Sequence, residues 1–372
     1  MKILMLLKSS LDYDSRVKKE IGSLTAAGYK VSMVSVNSQV DHSLKSHVVL
    51  KYQSKRRFLP GVSSLLSHFT FIRAAMAACD NHDIVHCHDL NTLLAGVLLK
   101  IARGKKVKLV YDSHEYAPND VPNEGKVSIA IKFLFEKILT RYVDCIIVVS
   151  DGIAEKYRKL YKPRILSTVM NCPARVKIER TEYFHNFFGL QSDVKIFLYQ
   201  GALSRGRGID IILDTFEKLK IKGAVLVVMG SGVLADMVEE AAQRCDRVYY
   251  HPPVPSKNLL GYTASADYGI SFIEDSCLSY RYCLPNKIFE YLMAGLPVLT
   301  SNLPEMKRLV EAEHIGIVAE QNSASAFQLA VEKMMAVDKQ QFKKAIDAAQ
   351  FNYCWQNQES ILLDSYRKLY HA

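Results

Sequence analysis

Two stretches in the second half of the chain contain residue types that bind phosphate groups. In the first, Gly201, Gly206 and Gly208 follow an apolar segment, and Arg205 and Arg207 flank the second of these glycines. Glycines let the backbone approach a ligand closely, and the guanidinium groups supply positive charge. The spacing differs from that of nicotinamide sites and of Walker loops, so it predicts a diphosphate site of another kind.

The second stretch begins with Pro285 and Asn286, continues with Lys287 and Glu290, and closes at Gly295. Proline suits the first turn of a helix and glycine its end, so the stretch predicts a short helix. The unpaired amides at its start favour an anion, and Lys287 adds a full charge. Glu290 could bind a substrate or could merely offset the dipole of the helix.

The elements that must position these residues follow from the spacing of apolar residues. The first half has strand-like segments at 2–7, 31–36, 83–88, 107–111 and 145–150 with helical segments between them, and a similar series begins at residue 196. Strands alternating with helices indicate parallel, doubly wound sheets. We therefore predict an α/β protein with two Rossmann-like domains facing a cleft, joined by a polar linker near residues 171–182. In such sheets, ligands bind beyond the carboxyl ends of the strands.

Composition excludes several classes of protein. The chain has 372 residues, 49% of them hydrophobic, and no apolar run reaches the roughly 18 residues of a membrane-spanning helix. Its 8 cysteines are scattered without Cys-x-x-Cys spacing, which favours reduced thiols in the cytoplasm. His86, Cys87 and His88 are the only dense group of ligand types, and alternate residues of a strand point to opposite faces. We therefore expect no metal site.

The net excess of positive charge lies entirely in the first half of the chain. Residues 1–190 contain 29 Lys and Arg against 17 Asp and Glu, a net charge of +12, whereas residues 191–372 contain 19 against 21, a net of −2. This asymmetry indicates an anionic partner for the first half, either nucleic acid or a membrane surface. Two segments combine cations with apolar residues: Lys51, Lys55, Arg56, Arg57 with Phe58 to Phe71, and Lys126, Lys132, Lys137, Arg141 with Ile129 to Leu139. Each could lie on an anionic leaflet, or could be a solvated charged face over an ordinary buried one.

In order and spacing, these segments resemble the family 4 glycosyltransferases of the GT-B fold, which are retaining and metal-independent. In the second half the resemblance rests on the loop 201–208, on Gly-x-Gly at 230–232, and on Pro-Asn-Lys-x-x-Glu-Tyr at 285–291. In the first half it rests on the segments 14–17, 83–89, 110–115 and 144–150. The Pro-Asn-Lys-x-x-Glu variant departs from the usual Glu-x7-Glu motif, because Tyr282 occupies the position of the first glutamate.

The resemblance also implies roles for single residues. Arg207 and Lys287 would neutralise the diphosphate of a nucleotide sugar, Glu290 would bind the ribose hydroxyls, and His114 would face the transferred sugar. Asp14 and Arg16 could touch the acceptor, or could be a helix cap and a solvated cation. The remaining donor-binding residues would be Gly201, Arg205, Gly230, Gly232 and Asn286.

The resemblance finally implies an organisation and a function. We expect an acceptor-facing and membrane-facing domain at 1–175, a donor domain at 176–350, and a C-terminal helix at 351–372 that crosses back to the first domain. The enzyme would transfer a hexosyl or N-acetylhexosaminyl group, with retention and without metal or cofactor, from a nucleotide sugar, with UDP favoured. The acceptor would be a lipid-linked glycan of cell-surface polysaccharide synthesis, met at the inner face of the cell membrane by a cytoplasmic, peripheral protein. An epimerase or phosphorylase of the same fold, or a basic nucleic-acid-binding protein, stands as the alternative.

Overall fold

The computed structural model describes residues 1–52 and 60–371, and it divides the chain into two compact units. The first unit contains the described residues of Met1–Asp120, then Glu124–Met170 and the chain from Glu359 onward. The second unit contains Val121–Asn123 and Asn171–Gln358. Of the basic segment that the sequence assigns to a membrane surface, Lys55, Arg56, Arg57, Phe58 and Leu59 lie outside the described residues.

The first unit is a seven-stranded parallel sheet with the order β3-β2-β1-β4-β5-β6-β7. Its strands are β1 (Lys2–Leu6), β2 (Lys30–Val36), β3 (Ser46–Leu50), β4 (Ile84–His88), β5 (Lys108–Ser113), β6 (Cys145–Val148) and β7 (Ile165–Thr168). Its helices are α1 (Ser15–Ala26), α2 (Pro60–Ala78), α3 (Leu90–Arg103), α4 (Lys126–Leu139) and α5 (Asp151–Tyr161).

The second unit is a six-stranded parallel sheet with the order β10-β9-β8-β11-β12-β13. Its strands are β8 (Lys195–Ala202), β9 (Ala224–Ser231), β10 (Val248–His251), β11 (Tyr268–Ser271), β12 (Val298–Thr300) and β13 (Gly316–Val318). Its helices are α6 (Tyr183–Phe188), α7 (Ile209–Lys218), α8 (Ala235–Arg244), α9 (Leu259–Thr263), α10 (Leu278–Arg281), α11 (Asn286–Met293), α12 (Pro304–Glu313), α13 (Ala324–Ala336) and α14 (Gln340–Asn352). The last helix, α15 (Trp355–His371), contributes its residues from Glu359 onward to the first unit.

The predicted α/β class with two parallel sheets is confirmed. Central strands of such sheets are covered on both faces, which explains why β1 is almost wholly buried along Lys-Ile-Leu-Met-Leu. Helix α1 begins where Asp14 caps it, and it buries Val17, Ile21 and Leu24 at helical spacing. Three strands that the sequence analysis does not assign are present, namely β3, β7 and β13. No helix in the described part of the chain combines the length and the apolar character that a bilayer crossing requires.

Candidate active-site residues in the two units

In the first unit, charged and imidazole side chains converge where β4 and β5 end. Asp112 on β5 is fully buried, and His114 follows that strand directly. The ring Nε2 of His114 lies 3.0 Å from Oδ2 of Asp112. His88, the last residue of β4, places its Nδ1 3.4 Å from the same ring nitrogen of His114. The predicted active-site histidine therefore belongs to a buried network rather than standing alone.

Arg16 is the cation of this network. Its Nε and Nη2 donate to the two carboxylate oxygens of Asp112 at 3.0 and 2.8 Å, and its Nη1 donates to the carbonyl of Val169 at 2.7 Å. The side chain is only 3% exposed, so it is not the solvated cation that the sequence allowed. Asp14 accepts the backbone N–H of Val17 at 3.0 Å and thereby caps α1, which is the cap alternative stated above.

These contacts move the pKa values of the network apart. Burial alone would raise the pKa of Asp112, but the charges of Arg16 and His114 outweigh it and hold that pKa well below its usual range. Burial opposes the charged form of His114, yet Asp89 and Asp112 together raise its pKa to about 10. Burial lowers the pKa of His88 to about 3. Near neutral pH, the network therefore contains a carboxylate and an imidazolium side by side, with a neutral imidazole next to them.

Behind Asp112, the network continues to Glu20, His86 and the C-terminal helix. Ligand atoms of Glu20, His86, His88 and Asp112 lie within 4.8 Å of one another, and these are residue types that bind metals. However, both oxygens of Asp112 already accept hydrogen bonds from Arg16, whose Nε also lies 3.0 Å from Glu20. A metal ion at this position would be repelled by the guanidinium of Arg16. We therefore interpret the cluster as a network of ion pairs and hydrogen bonds and not as a set of metal ligands.

Most residues of this network were not predicted from the sequence. Glu20 and His86 are fully buried, and the pKa of Glu20 is raised to about 8 by burial and by the charge of Asp112. His86 Nδ1 lies 2.5 Å from the hydroxyl of Tyr366 on α15. The available signals were an acidic residue inside the apolar run of β5 and an arginine on the apolar face of α1.

In the second unit, Lys287 lies beside the end of β8. It is the second residue of α11, and its Nζ lies 3.6 Å from the centre of the Tyr199 ring. A Cβ added to Gly201, at the end of β8 with φ of 112°, would lie 3.9 Å from Cε of this lysine. Burial, together with the charge of Arg207 and against that of Glu290, lowers the pKa of Lys287 to about 7. A nearby anion would raise this pKa and favour the protonated form of Lys287, the residue that the sequence predicts to bind phosphate.

Arg207 packs its guanidinium against an aromatic ring as well. Its Cζ lies 4.8 Å from the centre of the Tyr280 ring, a cation–π contact. Among the described residues, neither Arg207 nor Lys287 forms a side-chain hydrogen bond or an ion pair. Arg205, in the same loop, is exposed, as is Asn286, the first residue of α11. Arg207 lies close enough to Lys287 for its charge to lower the pKa of that lysine, and no carboxylate in the described part of the chain forms an ion pair with either cation.

Glu290 is held by a chain of polar contacts from the sheet. Its Oε2 accepts a hydrogen bond from the side-chain amide of Gln200 at 2.6 Å, and Oε1 of Gln200 accepts one from Thr263 at 2.8 Å. Gln200 was not singled out from the sequence. Its buried amide on β8 fixes the orientation of the carboxylate, which leaves Glu290 half-buried at the same end of the sheet as Lys287.

The two glycines of the 230–232 loop are there because neighbouring backbone leaves no room for a side chain. Gly230 pairs with Gly201 across β8 and β9, and a Cβ on Gly230 would collide with the carbonyl of Gly201. Gly232 has φ of 151°, and a Cβ there would collide with the carbonyl of Leu203. This loop therefore packs directly against the loop that carries Arg207.

Comparison with known families matches both units. The model described as Glycosyltransferase Family 4 matches residues 17–172, and the model described as Glycosyl transferases group 1 matches residues 194–336. The chain is a glycosyltransferase of the GT-B fold, with a family 4 domain followed by a group 1 domain. An uncharacterised glycosyltransferase of Methanocaldococcus jannaschii is 24% identical over 253 residues, which cover 64% of this chain and 62% of that relative's length.

Solved structures share the fold along the whole chain. Sucrose-phosphate synthase from Thermosynechococcus elongatus has a TM-score of 0.80 at 18% identity, with 100% of both chains covered. HepE of Anabaena, solved in complex with UDP, has a TM-score of 0.69 at 15% identity, again over 100% of both chains.

Proposed function

We propose that this glycosyltransferase takes its sugar from a nucleotide-diphosphate sugar, with UDP favoured, and binds the diphosphate at Lys287 and Arg207. The observation that carries the proposal is that these two cations lie near each other without a bound carboxylate. A diphosphate is the group that would neutralise both, and the start of α11 adds unpaired amides. Glu290 would accept hydrogen bonds from the ribose hydroxyls. The structure of HepE with UDP supports the choice of nucleotide.

We further propose that the reaction proceeds without a metal ion and retains the anomeric configuration. When the bond to the anomeric carbon breaks, negative charge develops on the leaving diphosphate. Arg207 supplies positive charge at that point, and Lys287 does so once the diphosphate has raised its pKa. Removing one such group typically costs about 3 to 4 kcal/mol of transition-state stabilisation. His114 would contact the transferred sugar, which is a hexosyl or N-acetylhexosaminyl group.

A thermal-shift measurement with UDP, GDP and their sugars tests the donor site. A ligand at 100 times its dissociation constant stabilises the folded state by about 2.7 kcal/mol. Arg207→Ala and Glu290→Ala should lose the shift, whereas Arg244→Ala, an exposed arginine paired with Glu217, should retain it. A full shift in both site variants would place the donor elsewhere. Transfer that stops with EDTA and returns with manganese would contradict the metal-free mechanism, and the anomeric coupling of the product decides retention.

For the acceptor, we propose a lipid-linked glycan met at an anionic membrane, the inner face of the cell membrane in a cytoplasmic protein. The support comes from α4, where one of the two buried residues is a glutamate while much of the apolar surface is exposed. Its fully buried residue is Glu136, which accepts hydrogen bonds from Tyr111 and Tyr157 at 2.7 Å each and from Tyr161. The exposed side chains form an apolar stripe at helical spacing, consisting of Val127 (74% exposed), Ile131 (63%), Leu134 (57%) and Ile138 (46%).

Cations border this apolar stripe and give it a preference for anionic lipid. Lys126, Lys137 and Arg141 are exposed at or beyond the two ends of α4, whereas Lys132 is held by Asp120 and Glu124. Each free cation near an anionic leaflet contributes roughly 1 kcal/mol, and the apolar side chains add the energy of leaving water. The combination fits a bilayer surface better than a purely polar partner.

Flotation with vesicles tests the membrane proposal. The protein should float with vesicles containing phosphatidylserine at low salt, and much less with neutral vesicles or at high salt. The double variant Ile131→Asn/Leu134→Asn should remain at the bottom of the gradient, whereas Leu329→Asn on α13, 52% exposed in the wild type, should float normally. Absence of binding to anionic vesicles at low salt would dispose of the idea.

A further inference from the structure

His114 lies between two carboxylates, one at each ring nitrogen. Nε2 is 3.0 Å from Oδ2 of Asp112, and Nδ1 is 3.6 Å from Oδ2 of Asp89. A neutral imidazole has one N–H and one lone pair, so one of its nitrogens would direct a lone pair at a carboxylate oxygen. The imidazolium has a proton on both nitrogens and fits this position without that repulsion.

The backbone of Asp89 is strained in a way that serves this contact. Its φ of 62° and ψ of 163° lie in a region that residues with side chains rarely adopt, and such outliers concentrate at functional sites. Asp89 occupies the N-cap position of α3, yet its side chain makes no capping hydrogen bond. Instead, Oδ1 accepts the backbone N–H of His114 at 3.2 Å. The carboxylate is thus directed at His114 and not at the helix.

The carboxylate of Asp112 is held by two hydrogen bonds from Arg16, so its position does not depend on His114. The charged and titratable groups that surround His114 come from α1, β4, β5 and the start of α3. They are Arg16, Glu20, His86, His88, Asp89 and Asp112. Among them, the two carboxylates nearest the ring favour its proton, and Arg16 opposes it.

We propose that Asp89 and Asp112 are positioning residues that hold His114 as an imidazolium, with its Nδ1–H offered to an oxygen atom of the sugar substrate. The 3.6 Å separation from Asp89 is too long for a hydrogen bond, so the charge of Asp89 keeps the proton on Nδ1 while leaving that donor open. His114 then acts as a hydrogen-bond donor and not as a base. This inference rests on the proposed role of His114 beside the transferred sugar.

Nuclear magnetic resonance of the full chain, labelled with 15N-histidine, tests the protonation of His114 without any substrate. The signals of His114, assigned with His114→Gln, should show both ring nitrogens protonated at pH 8.5. Asp89→Asn and Asp112→Asn should each lower the titration midpoint of His114 by more than one pH unit. The matched control Asp83→Asn changes an exposed aspartate of the same unit that accepts the backbone N–H of Lys2, and it should leave the midpoint unchanged. A wild-type midpoint near 6.5, or a midpoint indifferent to both variants, would overturn the proposal.

Asp89→Gly separates positioning from stability. Glycine relieves the backbone strain, so the melting temperature should stay the same or rise, while kcat at pH 8 falls at least tenfold and the alkaline limb of the rate profile moves to lower pH. A fall in melting temperature with unchanged kcat would mean that Asp89 is only structural. If the titration midpoint of His114 is raised as expected but His114→Gln transfers sugar at the wild-type rate, the two aspartates still hold the imidazolium, and the proposed role of His114 beside the sugar is contradicted.

Discussion

Binding of UDP should take up a proton at Lys287 and should weaken as the pH rises above 7. The free protein holds this lysine with a pKa of about 7, because of burial and of the charge of Arg207. A diphosphate beside the ammonium would bring the pKa back toward the ordinary value near 10.4. The complex then binds more protons than the free protein, so affinity is greatest below pH 7 and is lost between pH 7 and about 10.

The size of the effect follows from the fraction of charged lysine. At pH 8, roughly one tenth of the free protein has a protonated Lys287, and at pH 9 roughly one hundredth. The dissociation constant for UDP should therefore rise about tenfold per pH unit in this range, which corresponds to about 1.4 kcal/mol per unit. The terminal phosphate of UDP titrates near pH 6, below the range used.

Isothermal titration calorimetry with UDP at pH 7, 8 and 9, in buffers of different ionisation enthalpy, measures both the affinity and the proton uptake. Lys287→Arg keeps a permanent charge, so it should bind UDP with little pH dependence and no proton uptake. Lys307→Met changes a lysine on α12 that pairs with Glu311, and it should behave like the wild type. The reasoning is refuted if the wild type takes up no proton, or if Lys287→Arg has the same pH slope as the wild type.

Three further predictions concern single contacts. Glu290→Gln should weaken UDP binding about tenfold in calorimetry, because an amide accepts hydrogen bonds from ribose hydroxyls less strongly than a carboxylate does. Gly232→Ala should abolish the UDP-induced thermal shift, because the new methyl group collides with the neighbouring loop. Arg16→Met leaves Asp112 buried without its cation and should lower the free energy of unfolding by about 3 to 5 kcal/mol in urea titrations; Lys18→Met, exposed on the same helix, should change it by less than about 0.5 kcal/mol.

The strands that sequence analysis finds and misses differ in burial. Central strands such as β1 and β9 are buried along nearly their whole length, and a run of apolar residues reveals them. The three missed strands, β3, β7 and β13, lie at edges of the two sheets and are partly exposed. An edge strand pairs with a neighbouring strand on one side only and is partly exposed to solvent. It therefore needs fewer apolar residues, and its sequence resembles that of a loop.

Site residues could be predicted where their pattern is local in the sequence, and not where distant segments bring them together. Lys287 stands close to Glu290 in the sequence, and the glycines of the 201–208 loop stand close to one another, so a helix-start signal marks the first group and a glycine signal marks the second. The cluster around Asp112 has no local pattern, since Arg16, His86 and Tyr366 are brought together only by the order of the strands and by the last helix. From the sequence, Arg16 could be placed on a helix but could not be assigned its partner.

The two clusters differ in how their charges are balanced, and this difference bears on which kind of chemical group each would bind. Asp112 and Asp89 face Arg16 and His114, so the charges of the first cluster compensate one another internally. Lys287 and Arg207 face aromatic rings, which attract a cation but do not neutralise it, and the charge of Glu290 only partly offsets theirs. A charged diphosphate gains most where positive charge is uncompensated, whereas a neutral sugar hydroxyl needs only a fixed donor such as the Nδ1–H of His114. Under the proposed function, the diphosphate of the donor therefore binds at Lys287 and Arg207.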